Sequence, residues 1–340
     1  MTTTAQRPAV VAAVPTASPA ERARHRRTRL VLGVLAVLLV GAVAAYLLVD
    51  LRGSWAYALG LRGRQLSALV VVGVAVGVSS TMFQTVAGSR ILTPGVMGFD
   101  SLYLLIQTLV VYLFGSTTLL LMGAPVRFVV NVSALTLFGL LLFRWLFRRS
   151  SRNLFVLVLV GVVCGALFGS LTSFASRLLS PDDYLTLQDV MFASFNRVDV
   201  DLLGITAAVT GAGCLAAARL VRALDVVDLG HDVAVGLGLP YHRVVTLTLV
   251  VVTVLVATST ALVGPMMFLG LIVANVARQL LPTSRHAVLL PAAALVGALG
   301  TVLGQTVVVH LFAHTTTLSV VVNLVGGLYF LYLLTRTVRL

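Results

Sequence analysis

The chain has 340 residues, of which 59% are hydrophobic and only 10% are charged, and its mean hydropathy is +1.05. Because an ordinary soluble domain carries about 25% charged residues, this composition excludes a water-soluble protein and predicts an integral membrane protein. All 24 basic residues are Arg, and without Lys the chain cannot contain a P-loop, so it is not itself a P-loop ATPase.

The chain starts with a polar, basic stretch over residues 1–29. This stretch contains three Pro, then five Arg between positions 22 and 29, and it shows no apolar periodicity. We therefore predict an irregular basic tail, followed by a membrane domain over residues 30–340. The apolar run directly after the tail is too long for the hydrophobic part of a signal peptide and is expected to be the first membrane span.

Ten apolar segments follow, each close to the length that a helix needs to cross a bilayer. They are residues 30–50, 66–86, 98–114, 126–147, 154–178, 202–220, 244–263, 266–281, 287–311 and 318–334. A membrane barrel would show alternating segments of about ten residues instead of continuous apolar runs. The predicted fold is therefore an all-α, polytopic membrane protein with ten transmembrane helices.

The distribution of Arg predicts the orientation of these helices. Ten spans place both termini on one side, and 18 of the 24 Arg fall on that side. The six on the opposite side are Arg52, Arg62, Arg64, Arg127, Arg177 and Arg197. Because Arg is enriched in cytoplasmic loops, both termini are predicted to be cytoplasmic, and the net charge of +13 reflects orientation and not nucleic-acid binding.

Ionisable side chains are rare inside the predicted spans. Asp100 follows Pro94 and Gly98 at the start of the third span, where it suits either the positive end of a helix or the lining of a pathway. Gln84 is the neutral polar residue that we most expect to line a pathway. No metal-ligand spacing, catalytic group or cofactor motif is present, which argues against an intramembrane enzyme.

The longest predicted cytoplasmic loop, residues 219–243, is amphipathic and suits docking to a partner protein. Its acidic residues balance its Arg residues, and its apolar residues fall in short helical pieces that end at Gly230 and Gly238. The loop contains Leu229, Gly230, Ala234, Leu237 and Gly238 in the spacing LG-x3-A-x2-LG. That pattern resembles the coupling loop of ABC importer permeases for iron-siderophores and cobalamin, the FecCD type.

Four more motifs resemble the same family, in the same order along the chain. Residues 62–64 resemble its R-x-P-R, and Gln84 with residues 92–98 resembles its Q followed by NPLA-x-P-x-x-G. Residues 264–273 resemble its GPxxFxGLxxP, and residues 290–297 resemble its LLP-x5-G. In all, the resemblance covers residues 30–336.

The sequence departs from the family pattern at three places. Ala274-Asn275 stands where the family usually has Pro-His, Gly63 replaces the Pro of R-x-P-R, and residues 98–101 differ from the usual G-x-S. These departures leave the identity of the transported chelate open.

The resemblance implies a transport subunit and not an enzyme. A permease of this family pairs with a second permease subunit, identical or paralogous, around one pathway in the bacterial cell membrane and its lipid. A cytoplasmic ABC ATPase dimer grips the coupling loop, so Leu229, Gly230, Ala234, Leu237 and Gly238 are predicted to couple ATP hydrolysis to transport. No cofactor or metal is implied.

The resemblance also implies which residues dock the binding protein on the extracytoplasmic face and which line the translocation pathway. An extracytoplasmic substrate-binding protein is expected to dock on Arg62 and Arg64, although these two residues could instead anchor the span to lipid headgroups. The translocation pathway is expected to include Gln84, Pro94, Gly98 and Asp100.

The predicted function is passage of an intact iron-siderophore into the cytoplasm. The alternatives are a permease for cobalamin or haem, an ion-coupled secondary transporter of a small molecule, and a structural membrane scaffold. An ion-coupled transporter would need buried carboxylates or a broken-helix ion site.

Overall fold

The computed structural model describes residues 19–48, 55–149, 154–195, 198–281, 283–312 and 316–337. Over these ranges the secondary structure is helical, and no strand occurs in them. The helices are α1 (Pro19–Leu48), α2 (Trp55–Ala87), α3 (Phe99–Phe114), α4 (Ser116–Leu121), α5 (Ala124–Arg149), α6 (Leu154–Ser176), α7 (Pro181–Met191), α8 (Val200–Val227), α9 (His231–Gly236), α10 (Tyr241–Val263), α11 (Leu269–Leu280), α12 (His286–Leu311) and α13 (Leu318–Thr337). A 3₁₀ turn, Gly95–Met97, precedes α3.

Each of the ten predicted apolar segments coincides with one of these helices. Within the described ranges, seven helices are long and apolar enough to cross a membrane, namely α1, α2, α5, α6, α8, α10 and α12. The other three, α3, α11 and α13, are apolar but shorter. The structure thus shows an all-helical protein with seven candidate spans and three shorter apolar helices where the remaining spans were predicted.

The helix α1 includes residues 19–29, which corrects the prediction of an irregular structure for that part of the tail over residues 1–29. Residues 19–29 therefore extend the first apolar helix, while residues 1–18 lie outside the described part of the chain.

The helix α2 lies at the centre of the packing and contacts α8, α10, α11 and α12. It approaches α12 closely, since a Cβ added to Gly73 would lie 2.5 Å from the carbonyl oxygen of Gly297. Nearby, the hydroxyl of Thr301 donates a hydrogen bond of 2.8 Å to the carbonyl oxygen of Leu69. Small residues thus let the two backbones touch, which stabilises helix pairs in a membrane.

Two irregular segments, residues 93–98 and 264–268, lie inside the helix packing. Thr93 is 2% exposed and Met97 is 1% exposed, and Met266 in the second segment is also buried. Irregular backbone at membrane depth is tolerated only where protein encloses it or where it lines a cavity. These segments explain why α3 and α11, which follow them, are short.

Candidate functional site

The predicted coupling residues lie in one compact turn between α8 and α10, residues 229–238, which we call the coupling turn. Gly230 has φ +98° and precedes α9, and Gly238 has φ +79° just after it. The amide of Leu239 donates to the carbonyl of Ala234 at 3.1 Å, and that of Gly238 donates to Val235 at 2.9 Å. This Schellman arrangement uses a left-handed residue to end a helix and explains the glycine at position 238.

The side chains of this turn divide into an inner and an outer set. Ala234 is fully buried and belongs to the same apolar cluster as Leu224 at the end of α8. Leu229 is 58% exposed and Leu237 is 65% exposed, so both leucines project away from the cluster. Exposed apolar residues on a turn that is itself anchored by packing are typical of a surface that a partner protein covers.

The two predicted docking residues differ in their surroundings. Arg62 is half-buried in α2, and its Nη1 donates to the carbonyl oxygens of Tyr46 at 3.1 Å and Leu47 at 3.2 Å. These carbonyls lie at the end of the described part of α1. Arg64 is exposed. The docking role of the pair stays a prediction, and Arg62 also ties α1 to α2.

The four residues predicted to line the pathway lie within the helix packing of the chain. Gln84, Pro94, Gly98 and Asp100 are all buried. Gly98 has φ +93°, and a Cβ there would lie 3.0 Å from the backbone nitrogen of Gly165 in α6. Pro94 and Asp100 border a small internal cavity, so the structure places them together, while their role in a pathway stays a prediction.

That cavity has a volume of about 30 Å³ and lies between the irregular segments 93–98 and 264–268. Asp100 is 4% exposed and stands in the first turn of α3, where its charge suits the positive helix end. Its Oδ2 has no hydrogen-bond partner in the described part of the chain. The hydroxyl-bearing residues around the cavity are Ser79, Ser80, Thr93, Ser259 and Thr260. The space is sufficient for a water molecule and is polar enough to hold one.

The loop between α2 and the 3₁₀ turn is held by two side-chain amides. Gln84 Nε2 and Asn275 Nδ2 each donate a hydrogen bond of 2.9 Å to the carbonyl oxygen of Arg90. Asn275 also donates to the carbonyl of Leu271, one turn earlier in α11, at 2.9 Å. Asn275, which departs from the family's usual His, therefore fixes this loop to α11.

The sequence pattern did not single out a polar cluster where α2, α8, α11 and α12 meet. His286 Nδ1 lies 2.7 Å from Asp225 Oδ1, and its Nε2 lies 2.7 Å from the Thr85 hydroxyl. The His286 amide also donates to Asp225 Oδ1 at 2.7 Å, and Arg278 Nη2 donates to Thr85 at 3.1 Å. We call Asp225, His286, Thr85 and Arg278 the polar node.

The FecCD transport family model matches residues 30–336 of this chain. The chain belongs to the FecCD transport family. The resemblance predicted from the five motifs is thereby confirmed, and the matched range contains the coupling turn, the two buried irregular segments and the polar node.

Similar proteins include two permease proteins of petrobactin import systems and one solved transporter. The chain is 41% identical over 310 residues to the petrobactin import system permease protein YclO of Bacillus subtilis, covering 91% of this chain and 98% of that protein. It is 32% identical over 269 residues to the petrobactin import system permease protein FatC of Bacillus anthracis, covering 79% and 76%. An inward-facing structure of a metal-chelate type ABC transporter matches with a TM-score of 0.78 at 21% identity, covering 91% and 99%, and supports the fold.

The described residues of this FecCD chain also limit its metal chemistry. Within them, no three or more His, Cys, Asp or Glu side chains come close enough to hold a metal ion. Cys164 and Cys214, both half-buried, are free thiols. The described residues instead form an exposed apolar surface on the coupling turn, which suits binding of a partner protein, and buried loops that are held by hydrogen bonds.

Proposed function

We propose that this chain is the membrane permease subunit of an ATP-driven ABC importer that passes a ferric siderophore into the cytoplasm. The observation that carries this proposal is the coupling turn, where Leu229 and Leu237 project outward from a turn anchored by the buried Ala234. Membership of the FecCD family and the petrobactin permeases among its relatives support the same function. Petrobactin is therefore the first substrate to test.

The topology that we propose has ten spans with both termini in the cytoplasm. The seven long apolar helices and the three shorter ones supply ten crossings, and α3 and α11 need fewer residues because each begins at a buried irregular segment. The distribution of Arg supports the orientation, since the side with the termini and the coupling turn carries most of the positive charge. On this topology, the coupling turn faces the cytoplasm and Arg64 faces outward.

In this mechanism, separate ATPase subunits cover the coupling turn and move it when they bind and hydrolyse ATP. The exposed leucines at positions 229 and 237 would enter an apolar groove of the ATPase, while neighbouring charges set the orientation. A second permease subunit completes the passage, and an extracytoplasmic binding protein delivers the chelate to the face that carries Arg64. The chelate crosses without chemical change, so the chain needs no catalytic group.

The proposal is tested with the chain reconstituted in lipid vesicles together with its ATPase, second permease subunit and binding protein. Uptake of iron-labelled ferric petrobactin should require ATP. The double variant Leu229→Ser/Leu237→Ser should lose uptake and co-purification of the ATPase, because it removes the apolar contacts without changing a buried residue.

The matched control is Leu185→Ser in α7, which changes a leucine of similar exposure, 62%, outside the coupling turn. This control should keep both uptake and ATPase association. Uptake that proceeds without ATP, or equal behaviour of the two variants, would contradict the proposed function.

One observation favours a second candidate, an ion-coupled transporter: the buried Asp100 beside a cavity bordered by hydroxyl groups. Such a transporter would need the carboxylate, because an ion or proton would bind there during each cycle. The variant Asp100→Asn keeps the shape of the side chain and removes its charge. We expect ATP-driven uptake to continue in this variant, whereas complete loss of uptake with a normally folded protein would favour ion coupling.

A further inference from the structure

The polar node is built around a histidine that is enclosed on all sides. His286 is the first residue of α12, and its side chain is fully buried, as is most of Thr85 in the last turn of α2. A buried polar side chain is costly unless hydrogen bonds replace the water that it loses. Here both ring nitrogens of His286 and its backbone amide have partners at 2.7 Å.

The partners of His286 fix how the ring is held. Asp225 Oδ1 accepts a hydrogen bond from the His286 amide and lies 2.7 Å from Nδ1, which donates to it in the tautomer that carries a hydrogen on Nδ1. Asp225 therefore holds both the ring and the backbone of His286 through the same carboxylate oxygen. The other ring nitrogen bonds the Thr85 hydroxyl, which can accept or donate. His286 thus connects α8 and α2 through one rigid imidazole.

The position of Asp225 places the coupling turn next to this ring. Asp225 lies in the last turn of α8, between the buried Leu224 and Val227, only four residues before Leu229. Leu224 and Val227 belong to the same apolar cluster as Ala234 of the coupling turn. The end of α8 and the coupling turn are consequently one packed unit, and Asp225 is the carboxylate by which this unit contacts α12.

The far side of the node reaches the loop that leads to α3. Thr85 lies three residues before Gly88, which directly follows the end of α2, and it is preceded by Gln84, which donates to the carbonyl of Arg90. Arg278, which donates to Thr85, lies one turn after Asn275, the second residue bound to that carbonyl. The ends of α2 and α11 and the loop between α2 and α3 are therefore tied to the same node.

From this geometry we infer that His286 is a positioning residue that transmits movement of the coupling turn, through Asp225 and Thr85, to α2, α11 and α12. The inference rests on the proposed function and names residues within it. A displacement of the coupling turn moves Asp225 with the end of α8, and the imidazole carries that displacement to α12 and to Thr85. Without the ring, the end of α8 can move while the other three helices stay in place.

The test measures ATP hydrolysis and uptake separately in the reconstituted complex, with iron-labelled ferric petrobactin as the probe. In His286→Ala, the amount transported per ATP hydrolysed should fall about tenfold, within the usual range of coupling free energies. ATP hydrolysis and assembly with the ATPase should stay close to those of the parent chain. His286→Gln, whose amide can both donate and accept, should restore part of the lost uptake.

Asp225→Asn supplies a second, milder variant, since the Asp225 side chain is 35% exposed and Asn has the same size and can still accept hydrogen bonds through its amide oxygen. It should lower uptake per ATP in the same direction. The double variant Asp225→Asn/His286→Ala should be no worse than His286→Ala alone, because two residues that act through one another are not additive. Additive losses would contradict the inference. If His286→Ala does not assemble, Asp225→Asn and His286→Gln decide the question.

A buried polar pair elsewhere in the chain provides the matched control. Gln107 in α3 donates to Asn131 in α5 at 3.0 Å, and this pair does not contact the coupling turn. Gln107→Ala should lower thermal stability and leave uptake per ATP unchanged. If His286→Ala behaves like Gln107→Ala, the node serves packing alone and the inference is wrong, while the loss of uptake in Leu229→Ser/Leu237→Ser would still support the proposed function.

Discussion

The buried segment 93–98 and the coupling turn both need a glycine in the left-handed conformation, but the first lies inside the helix packing and the second lies at the surface. The buried segment before α3 contains Gly98 with φ +93°, and the coupling turn contains Gly230 with φ +98°. A Cβ at Gly98 would lie 3.0 Å from the backbone of Gly165, whereas a Cβ at Gly230 would meet no atom within 4 Å. Position 98 needs glycine both for its left-handed backbone conformation and because a Cβ would have no room, whereas position 230 needs glycine for its backbone conformation alone.

This difference shows how one chain separates stability from function. The buried segment holds α3 against α6, so a change there should disturb the whole membrane domain. The coupling turn is anchored by Ala234 and directs Leu229 and Leu237 outward, so a change there should leave the domain folded and alter what the turn contacts. Substitutions at matched glycines in the two segments can therefore confirm or break the comparison.

The largest effect on stability is expected for Gly98→Ala. A left-handed conformation costs a residue with a Cβ roughly 1–2 kcal/mol, and overpacking adds about 1–3 kcal/mol. Thermal unfolding of the protein in detergent should show a strongly lowered midpoint, and less protein should reach the membrane. Gly169→Ala in α6, where a Cβ would meet nothing within 4 Å, is the control and should unfold at the same temperature as the parent chain or slightly above it, because Ala favours a helix interior. Equal unfolding midpoints for the two variants would break the comparison.

The next effect is expected in the coupling turn, for Gly230→Val. The left-handed conformation should cost about 1–2 kcal/mol without any overpacking, so the protein should still accumulate in the membrane. Uptake should be lost to the same degree as in Leu229→Ser/Leu237→Ser, because the start of α9 shifts and redirects both leucines. Gly204→Val in α8, which also has open space around it, should keep uptake. A Gly230→Val protein that transports normally would show that the turn tolerates another conformation.

The same contrast between an inward and an outward residue occurs in the predicted docking pair. Arg64 is exposed, so Arg64→Glu should weaken capture of the extracytoplasmic binding protein and reduce the salt dependence of that step. Arg62 bonds the end of α1, so Arg62→Ala should lower stability by about 1 kcal/mol and alter capture less. Binding of the binding protein to vesicles at several salt concentrations measures both. If Arg62→Ala weakened capture more than Arg64→Glu, docking would depend on Arg62.

Much of the architecture could be predicted from sequence because hydropathy and short motifs are local signals. All ten apolar segments became helices, and the short helical pieces predicted to end at Gly230 and Gly238 are the end of α8 and the helix α9. One local signal was present but was not used. Ser180 followed by Pro181 and two acidic residues marks the N-cap and first turn of α7.

The polar node could not be predicted, because its residues are distant in sequence. His286 bonds Asp225, which is 61 positions away, and Thr85, which is 201 positions away, so no spacing rule connects them. The burial of Gln84 and Asp100 could not be predicted from the sequence either, since a polar residue in an apolar helix can face a pathway or the packed interior. Only the arrangement of helices around α2 decides between these positions.

The connection between α3 and α4 is also irregular, but hydrogen bonds hold it, and not tight packing or an exposed apolar turn. Gly115 there has φ +80°, and the next residue, Ser116, donates its amide to Asp183 Oδ1 of α7 at 3.0 Å. The Ser180 hydroxyl donates to Asp183 Oδ2 at 2.7 Å, and the Asp183 amide donates back to Ser180 Oγ at 3.2 Å. Hydrogen bonds from Ser116 and Ser180 hold the pKa of the Asp183 carboxyl below its ordinary value of 3.8.

The smallest effect is therefore expected for Asp183→Asn, and it should depend on pH. Because the folded-state pKa of Asp183 is lowered, its contribution to stability is complete above pH 3.8 and is lost as the pH falls through the folded-state pKa. The variant should unfold at a slightly lower temperature than the parent chain at neutral pH, and this difference should shrink below pH 3.8. Asp182→Asn, one residue earlier and exposed, should lower the unfolding temperature at neutral pH less than Asp183→Asn does. A difference between variant and parent that is constant across pH would mean that shape, and not the carboxylate charge, holds this connection in place.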